Sequence, residues 1–223
     1  VWKMGDLIRI YLNPKENLKQ IKEKPLSYSS LISKFLLPFS FLPVLGYLIG
    51  FTVLKSNYLS AINQFIDLLK SDPKADPSTI EYMNKILLML QSSDYSKIFI
   101  FLGIVWLFEI FKPIFLSALV FFFGKSFGGD NDPLKVFNLV VISLIPVWVA
   151  GLSYMVNSPV NAFLLFLASF YMFYLIFIGS EKVLSIPSEN SKNFQFIVVV
   201  VIFYVILSGI IGMFQTYLIR SVL

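Results

Sequence analysis

Apolar and polar positions alternate along this chain in long blocks rather than in short periods. Five stretches, Phe35 to Leu54, Ile98 to Phe123, Val136 to Val156, Val160 to Ile178 and Phe194 to Ile219, are almost free of charge, and nearly all Lys, Arg, Asp and Glu fall between them. A helix crossing a hydrocarbon layer about 30 Å thick needs roughly 20 apolar residues at about 1.5 Å each, and each stretch meets or nearly meets that length. The pattern predicts an all-α, polytopic membrane protein: five transmembrane helices behind a cytoplasmic amphipathic lead (1–34), with an external helical loop (55–97).

Shorter periods organise the rest. Met4, Leu7, Ile8 and Tyr11 recur at helical spacing with Trp2 at one end, as in an interfacial amphipathic helix. Asn13 then Pro14, with Glu16 at the capping-box position, starts a second short helix that Pro25 ends. On it Lys15, Lys19 and Lys22 share one face, opposite Leu18 and Ile21, so the lysines read as a solvated, lipid-facing basic surface or as a docking surface for a soluble protein. In the loop, Tyr58, Ile62, Phe65, Ile66 and Leu69 form one stripe; past Asp76-Pro77, Ile80, Met83, Leu87 and Leu90 form another, predicting a helical hairpin. Only Asn157, Ser158 and Pro159 separate the third and fourth spans, which must be antiparallel neighbours.

Composition narrows the chemistry. Hydrophobic residues make up 57% and charged residues 14%, and mean hydropathy is +0.78, which is membrane rather than soluble composition. Cys and His are both absent. That removes disulfides, thiolate nucleophiles and the usual zinc and haem ligands, so no metal and no cofactor is expected. Residues 1–34 hold seven basic groups against Asp6, Glu16 and Glu23. With Lys125, Lys135, Lys182 and Lys192 on the same side, positive residues favour a cytoplasmic N-terminus in the cell membrane and, after five crossings, an external C-terminus. The basic side suits anionic lipid headgroups. No aromatic-basic module for nucleic acid is present.

Four places inside or between the spans stand out. Glu109 and Lys112 lie three apart on one face of the second span, beside Pro113, which leaves the Glu109 carbonyl without its helical donor. Charges at that depth are costly and persist when paired in a bundle or lining a wet path, so the group reads as a structural ion pair or as part of a proton or ion pathway; a shifted register of the span would instead bring it near the interface. Gly46 and Gly50, and Ser208, Gly209 and Gly212, are small-residue patterns that bring helices close, within the chain or between copies as a homo-oligomer. The run Gly124 to Pro133, through Gly128, Gly129 and Asn131, lacks the order of a nucleotide loop and the Glu of a calcium loop, and reads as a tight cytoplasmic turn.

Taken together, the amphipathic lead with Asn13-Pro14, the five spans with a long first loop, the Phe127-Gly128-Gly129 turn, Pro146 within the third span, and Tyr171 to Tyr174 followed by Gly179 resemble the Yip1-domain family. That resemblance implies an all-helical five-span protein with a cytosolic N-terminus that is not an enzyme. Eukaryotic members act in vesicle traffic with Rab-type GTPases. Their Asp-Leu-Tyr-Gly-Pro motif is missing here, the chain is more similar to the bacterial and archaeal branch, and GTPase binding is not carried over. The function expected from these readings is a membrane scaffold or adaptor binding lipids and other integral membrane proteins; the alternative is a small transporter or channel using Glu109 and Lys112.

Overall fold

The computed structural model describes residues 4–130 and 132–223; Trp2, Asn131 and the Met4 side chain, used in the reading above, lie outside the described residues. Helix accounts for 85% of the structure, and no strand occurs among the described residues. Five helical segments are long and apolar enough to cross a membrane: Tyr28–Thr52, Tyr95–Ser126, Pro133–Met155, Pro159–Lys182 and Lys192–Val222.

The lead is α1 (Met4–Leu12), α2 (Pro14–Asn17) and α3 (Lys19–Glu23). The helix expected after Asn13 therefore breaks into two short pieces at Leu18. Asn13 supplies no side-chain cap. Instead Asn17 Nδ2 donates to the carbonyls of Asn13 (2.8 Å) and Arg9 (3.2 Å), covering acceptors at the C-terminus of α1. The first span is composite: α4 (Tyr28–Leu31), a π-helical turn (Ile32–Leu36), α5 (Leu37–Ser40) and α6 (Leu42–Thr52). Pro38 and Pro43 explain the segmentation, since neither can donate to the carbonyl four residues back, and the Leu37 amide bonds Ile32 O in the wider register.

The hairpin is α7 (Lys55–Ser71) and α8 (Pro77–Gln91). Asp76 caps α8 by accepting from the Ser78 amide at 3.0 Å, which, with the Ser78 hydroxyl, holds its carboxyl below the usual range. Tyr58, Ile62 and Ile66 of α7 are buried, but Phe65 is 43% exposed, and on α8 the buried positions are Ile86, Met89 and Leu90. Both faces are thus rotated slightly from the stripes read in the sequence. They pack with Val44, Phe51, Ile98, Phe101, Leu102, Val105 and Ile219 in a core of their own at one end of the bundle.

Spans two to five are α9 (Tyr95–Ser126), α10 (Pro133–Gly151, continued by a 3-10 turn, Leu152–Met155), α11 (Pro159–Lys182) and α12 (Lys192–Val222). α10 is the centre, with Leu139 to Leu144 and Trp148 fully enclosed. It is antiparallel to α11, where a Cβ on Gly179 would overlap Leu139 Cδ1. Against α6 it is parallel and as close: a Cβ on Gly46 would meet Gly151 O at 2.7 Å, and one on Gly50 would meet Met155 O at 2.9 Å. α12 is different. Only 11% of its apolar window is buried, by α9 and α11.

The turn after α9 is set by its glycines. The Gly129 amide donates to Gly124 O (2.8 Å) and the Gly128 amide to Lys125 O (3.1 Å), with Gly128 at φ +83°. This is a Schellman closure, and the left-handed position favours glycine. Gly129 lies under the loop that follows α11, where a Cβ would be 2.7 Å from Ile186 Cγ1.

Candidate functional site

Two constellations gather the polar groups of the membrane part. The first is built on α9. Lys112 Nζ donates to Glu109 Oε1 at 2.5 Å, and the other carboxylate oxygen accepts from Trp148 Nε1 of α10 at 3.1 Å. Glu109 is 6% exposed, so both of its oxygens are supplied with donors where water is excluded, which is what an enclosed carboxylate requires. Pro113 is buried beside them and α9 continues through it.

Lys112 differs from Glu109 in keeping one side open. Its side chain is 31% exposed and lines a partly open cavity of about 350 Å³ among α9, α10 with its 3-10 turn, α11 and α12, in the half nearer the hairpin. Tyr154, Ser169, Tyr204, Ser208 and Gln215 converge on the same space. Ser169 and Ser208 spend their hydroxyl hydrogens on the carbonyls four residues back, Leu165 and Tyr204. Ser208 and Gly212, expected at a helix crossing, line this cavity instead. An added Cβ on Gly209 or Gly212 would meet nothing within 4 Å. Within the chain only the first of the two small-residue patterns, Gly46 and Gly50, sits at a close crossing.

The second constellation fixes the lead to the other end. Pro146 cannot donate to Ile142 O, and the Tyr11 hydroxyl donates to that carbonyl at 2.8 Å. The Tyr171 hydroxyl donates to Tyr11 O at 2.5 Å. Burial, reinforced by Tyr171, pushes the Tyr11 pKa above its ordinary value. Asn138, fully buried in α10, accepts from the Leu26 amide (3.0 Å) and donates to Leu26 O (2.9 Å), gripping the chain where the lead turns into the first span.

This docking changes the expected placement of the lead. Leu7, Ile10, Leu18 and Ile21 are at most 1% exposed and belong to the main core. The apolar face of the lead is therefore spent on the bundle rather than on lipid, and Ile8, assigned to that face from spacing, points outward at 53% exposure. Lys15, Lys19 and Lys22 are exposed, with Lys22 Nζ also donating to Ser185 Oγ at 2.6 Å. No group of three His, Cys, Asp or Glu able to hold a metal occurs among the described residues.

Spacing alone missed Trp148, Asn138 and Tyr11 as polar partners. A signal was present for Asn138 and for the carbonyl that Tyr11 meets, but none for Trp148. A lone Asn in an apolar span needs amide partners, and a proline in a span leaves one carbonyl to be satisfied from elsewhere.

Comparison with known proteins gives one match. The family described as Yip1 domain matches residues 8–210, from α1 through most of α12. The chain belongs to the Yip1 family. No curated protein and no solved structure matches. As a Yip1-family chain with five span-length helices, it is a multi-pass membrane protein. The matched range takes in α2, α3 and the second half of α1 as well as most of the bundle.

Proposed function

We propose that this Yip1-family protein is a non-enzymatic membrane scaffold or adaptor of the cell membrane, with a cytoplasmic N-terminus and an external C-terminus. The observation that carries it is the rigid attachment of the lead. Tyr11, Tyr171 and Asn138 hold it, so Lys15, Lys19 and Lys22 form a fixed basic face rather than a loose tail, suited to anionic headgroups. The uncovered apolar length of α12, with Ile202, Val205, Ile206, Ile210 and Met213 all above half exposed, is the surface for other integral membrane proteins or a second copy.

Native extraction and purification, followed by lipid analysis and mass measurement of the intact assembly, tests the proposal. Retained anionic lipid that is lost when Lys15, Lys19 and Lys22 are replaced by Gln, together with a stoichiometric membrane partner or a defined oligomer, supports it. A solitary protein with no lipid preference removes it.

The cavity ending on Lys112 supports a second reading, a solute or ion pathway. In liposomes it requires a flux that the folded Glu109→Gln variant loses, and no flux from the parent protein eliminates it.

A further inference from the structure

The cavity beside Lys112 is lined by polar groups that the fold leaves unused. An ammonium carries three N–H donors, and the one hydrogen bond Lys112 makes is to Glu109 Oε1 at 2.5 Å. The hydroxyls of Tyr154 and Tyr204 and the side-chain amide of Gln215 have no hydrogen-bond partner among the described residues, although all three residues line the same space. Both hydroxyls lie near enough to Lys112 for its charge to act on them. Their rings are held by aromatic neighbours. Tyr154 stacks on Tyr47 of α6 with ring centres 4.5 Å apart, and Tyr204 meets Phe173 of α11 edge-on at 5.4 Å. Polar groups fixed in place and unpaired beside apolar walls cost free energy that an occupant with matching groups recovers.

Shape and charge narrow the occupant. The α12 wall runs from Tyr204 to Gln215, about 16 Å of helix at 1.5 Å per residue, and Phe115, Leu165, Leu207 and Ile211 make most of the remaining lining apolar. At about 350 Å³ the space has the size of a small-molecule site. Lys112 is the one charged residue lining it, and its charge is already matched by Glu109. An entering anion would leave an excess negative charge among apolar side chains, whereas an uncharged molecule adds none. Spare N–H and O–H donors call for oxygen acceptors. Water is a poor substitute, because it needs two to four polar partners and the α12 wall between Tyr204 and Gln215 includes Leu207 and Ile211. The helices around the cavity are all of span length and apolar, so the molecules that surround them are lipids.

We propose that this cavity is a binding site for one uncharged lipid with ester and hydroxyl oxygens in its head, the acylglycerol class. The head accepts hydrogen bonds from Lys112 Nζ and from the hydroxyls of Tyr154 and Tyr204, and its chain lies against Leu165, Leu207 and Ile211 and leaves through the open side. Ser208 and Gly212 then have a use that no helix crossing gives them, since small residues on α12 leave room for the occupant. The site rests on neither the scaffold nor the pathway reading, whose tests are lipid retention at Lys15, Lys19 and Lys22 and flux across liposomes.

The test uses the full chain in phosphatidylcholine nanodiscs with a monoolein analogue that carries a photoreactive diazirine at the start of its acyl chain. Cross-linked residues are mapped by peptide mass spectrometry. The site requires saturable labelling of cavity residues such as Leu165 and Leu207, removed by excess unlabelled monoolein. Tyr154→Phe combined with Tyr204→Phe keeps both ring contacts and should weaken this labelling about tenfold through the loss of two hydrogen bonds. Ser169→Leu and Ser208→Leu, which fill the cavity from α11 and α12, should each abolish it in protein that melts like the parent. Labelling that does not saturate, that falls on outward residues of α12 such as Val205 and Ile206 alone, or that persists in the filled variants overturns the site, because the lipid would then be only annular. Competition by oleoyl lysophosphatidate, the same chain with a charged phosphate, as strong as that by monoolein overturns the uncharged class. Failure here leaves the anionic-lipid retention of the basic lead untouched, and loss of that retention leaves the cavity labelling in place.

Discussion

Charged residues lie against the apolar bundle in two regions, and the protein treats them in opposite ways. Glu109 and Lys112 are turned inward, pair with each other, and borrow Trp148 from the next helix. Arg9, Lys15 and Lys19 are turned outward from a lead whose apolar side is consumed by the core. The first arrangement offsets the cost of charge by supplying partners; the second leaves the charged groups exposed on the outer side of the lead. Internal charge therefore constrains the packing of this bundle, and external charge constrains only the outward face of the lead.

The sharpest way to break this contrast is to remove one member of the internal pair. Glu109→Ala leaves Lys112 without its carboxylate and Trp148 Nε1 without an acceptor, and should destabilise the detergent-solubilised protein by about 3 to 5 kcal/mol. Lys112→Met should cost at least as much, because it leaves the more enclosed Glu109 carboxylate with the Trp148 indole but no cation. In a thermal or denaturant double-mutant cycle the pair of changes should recover part of the summed loss; strict additivity would show that the two groups do not act as an ion pair.

Next in size is the crossing on which the first span rests. Gly46→Ala puts a methyl group 2.7 Å from Gly151 O, backbone that cannot swing away, and should cost about 1 to 3 kcal/mol. Gly209→Ala on α12, with nothing within 4 Å, should change stability by less than about 0.5 kcal/mol. Equal effects at the two glycines would mean that α12 is as tightly packed in the membrane as α6.

The lead offers a milder test. Asn138→Ala strips both backbone groups of Leu26 of a buried partner and should cost about 1 to 3 kcal/mol, with faster proteolysis at Lys24 as the local readout. Tyr11→Phe removes a single hydrogen bond, and about 1 kcal/mol is expected. If neither variant loosens the lead, its apolar contacts alone hold it.

The smallest effect lies at the hairpin. Asp76 has a folded pKa below its unfolded value because Ser78 donates to its carboxylate. Its contribution is therefore complete above the unfolded carboxylate value of about 3.9 and is lost as pH falls through the folded one. Asp76→Asn should flatten that acid limb in a pH series of hairpin amide exchange. An unchanged profile would show that the Pro77 start, not the carboxylate, sets the end of α8.

How legible the molecule was depends on the range of the interaction. Charge-free runs of about 20 residues can be satisfied only by helices crossing lipid, so the five spans, the hairpin and the short link between α10 and α11 followed from sequence. Asp76-Pro77 and Gly128-Gly129 were legible because caps and turns are local. The spacing of Glu109 and Lys112 brought both onto one face, but Trp148, thirty-nine residues away from Glu109, could come only from the packing of α9 on α10.

Sequence by itself determined that this is a helical membrane protein with a basic, amphipathic lead, because hydrophobic length and periodicity are properties of single elements. It did not determine what the amphipathic face would meet. Lipid and a groove between α10 and α11 are equally apolar to Leu7, Ile10, Leu18 and Ile21; what distinguishes them is polar geometry. A carbonyl freed by Pro146 meets the hydroxyl of Tyr11, and the buried amide of Asn138 matches both backbone groups of Leu26. Only the tertiary structure brings these together, because each bond joins residues more than a hundred positions apart. The same holds for Ser208 and Gly212, whose small size permits close packing but which line a cavity here, with nothing within 4 Å of a Cβ added at Gly212.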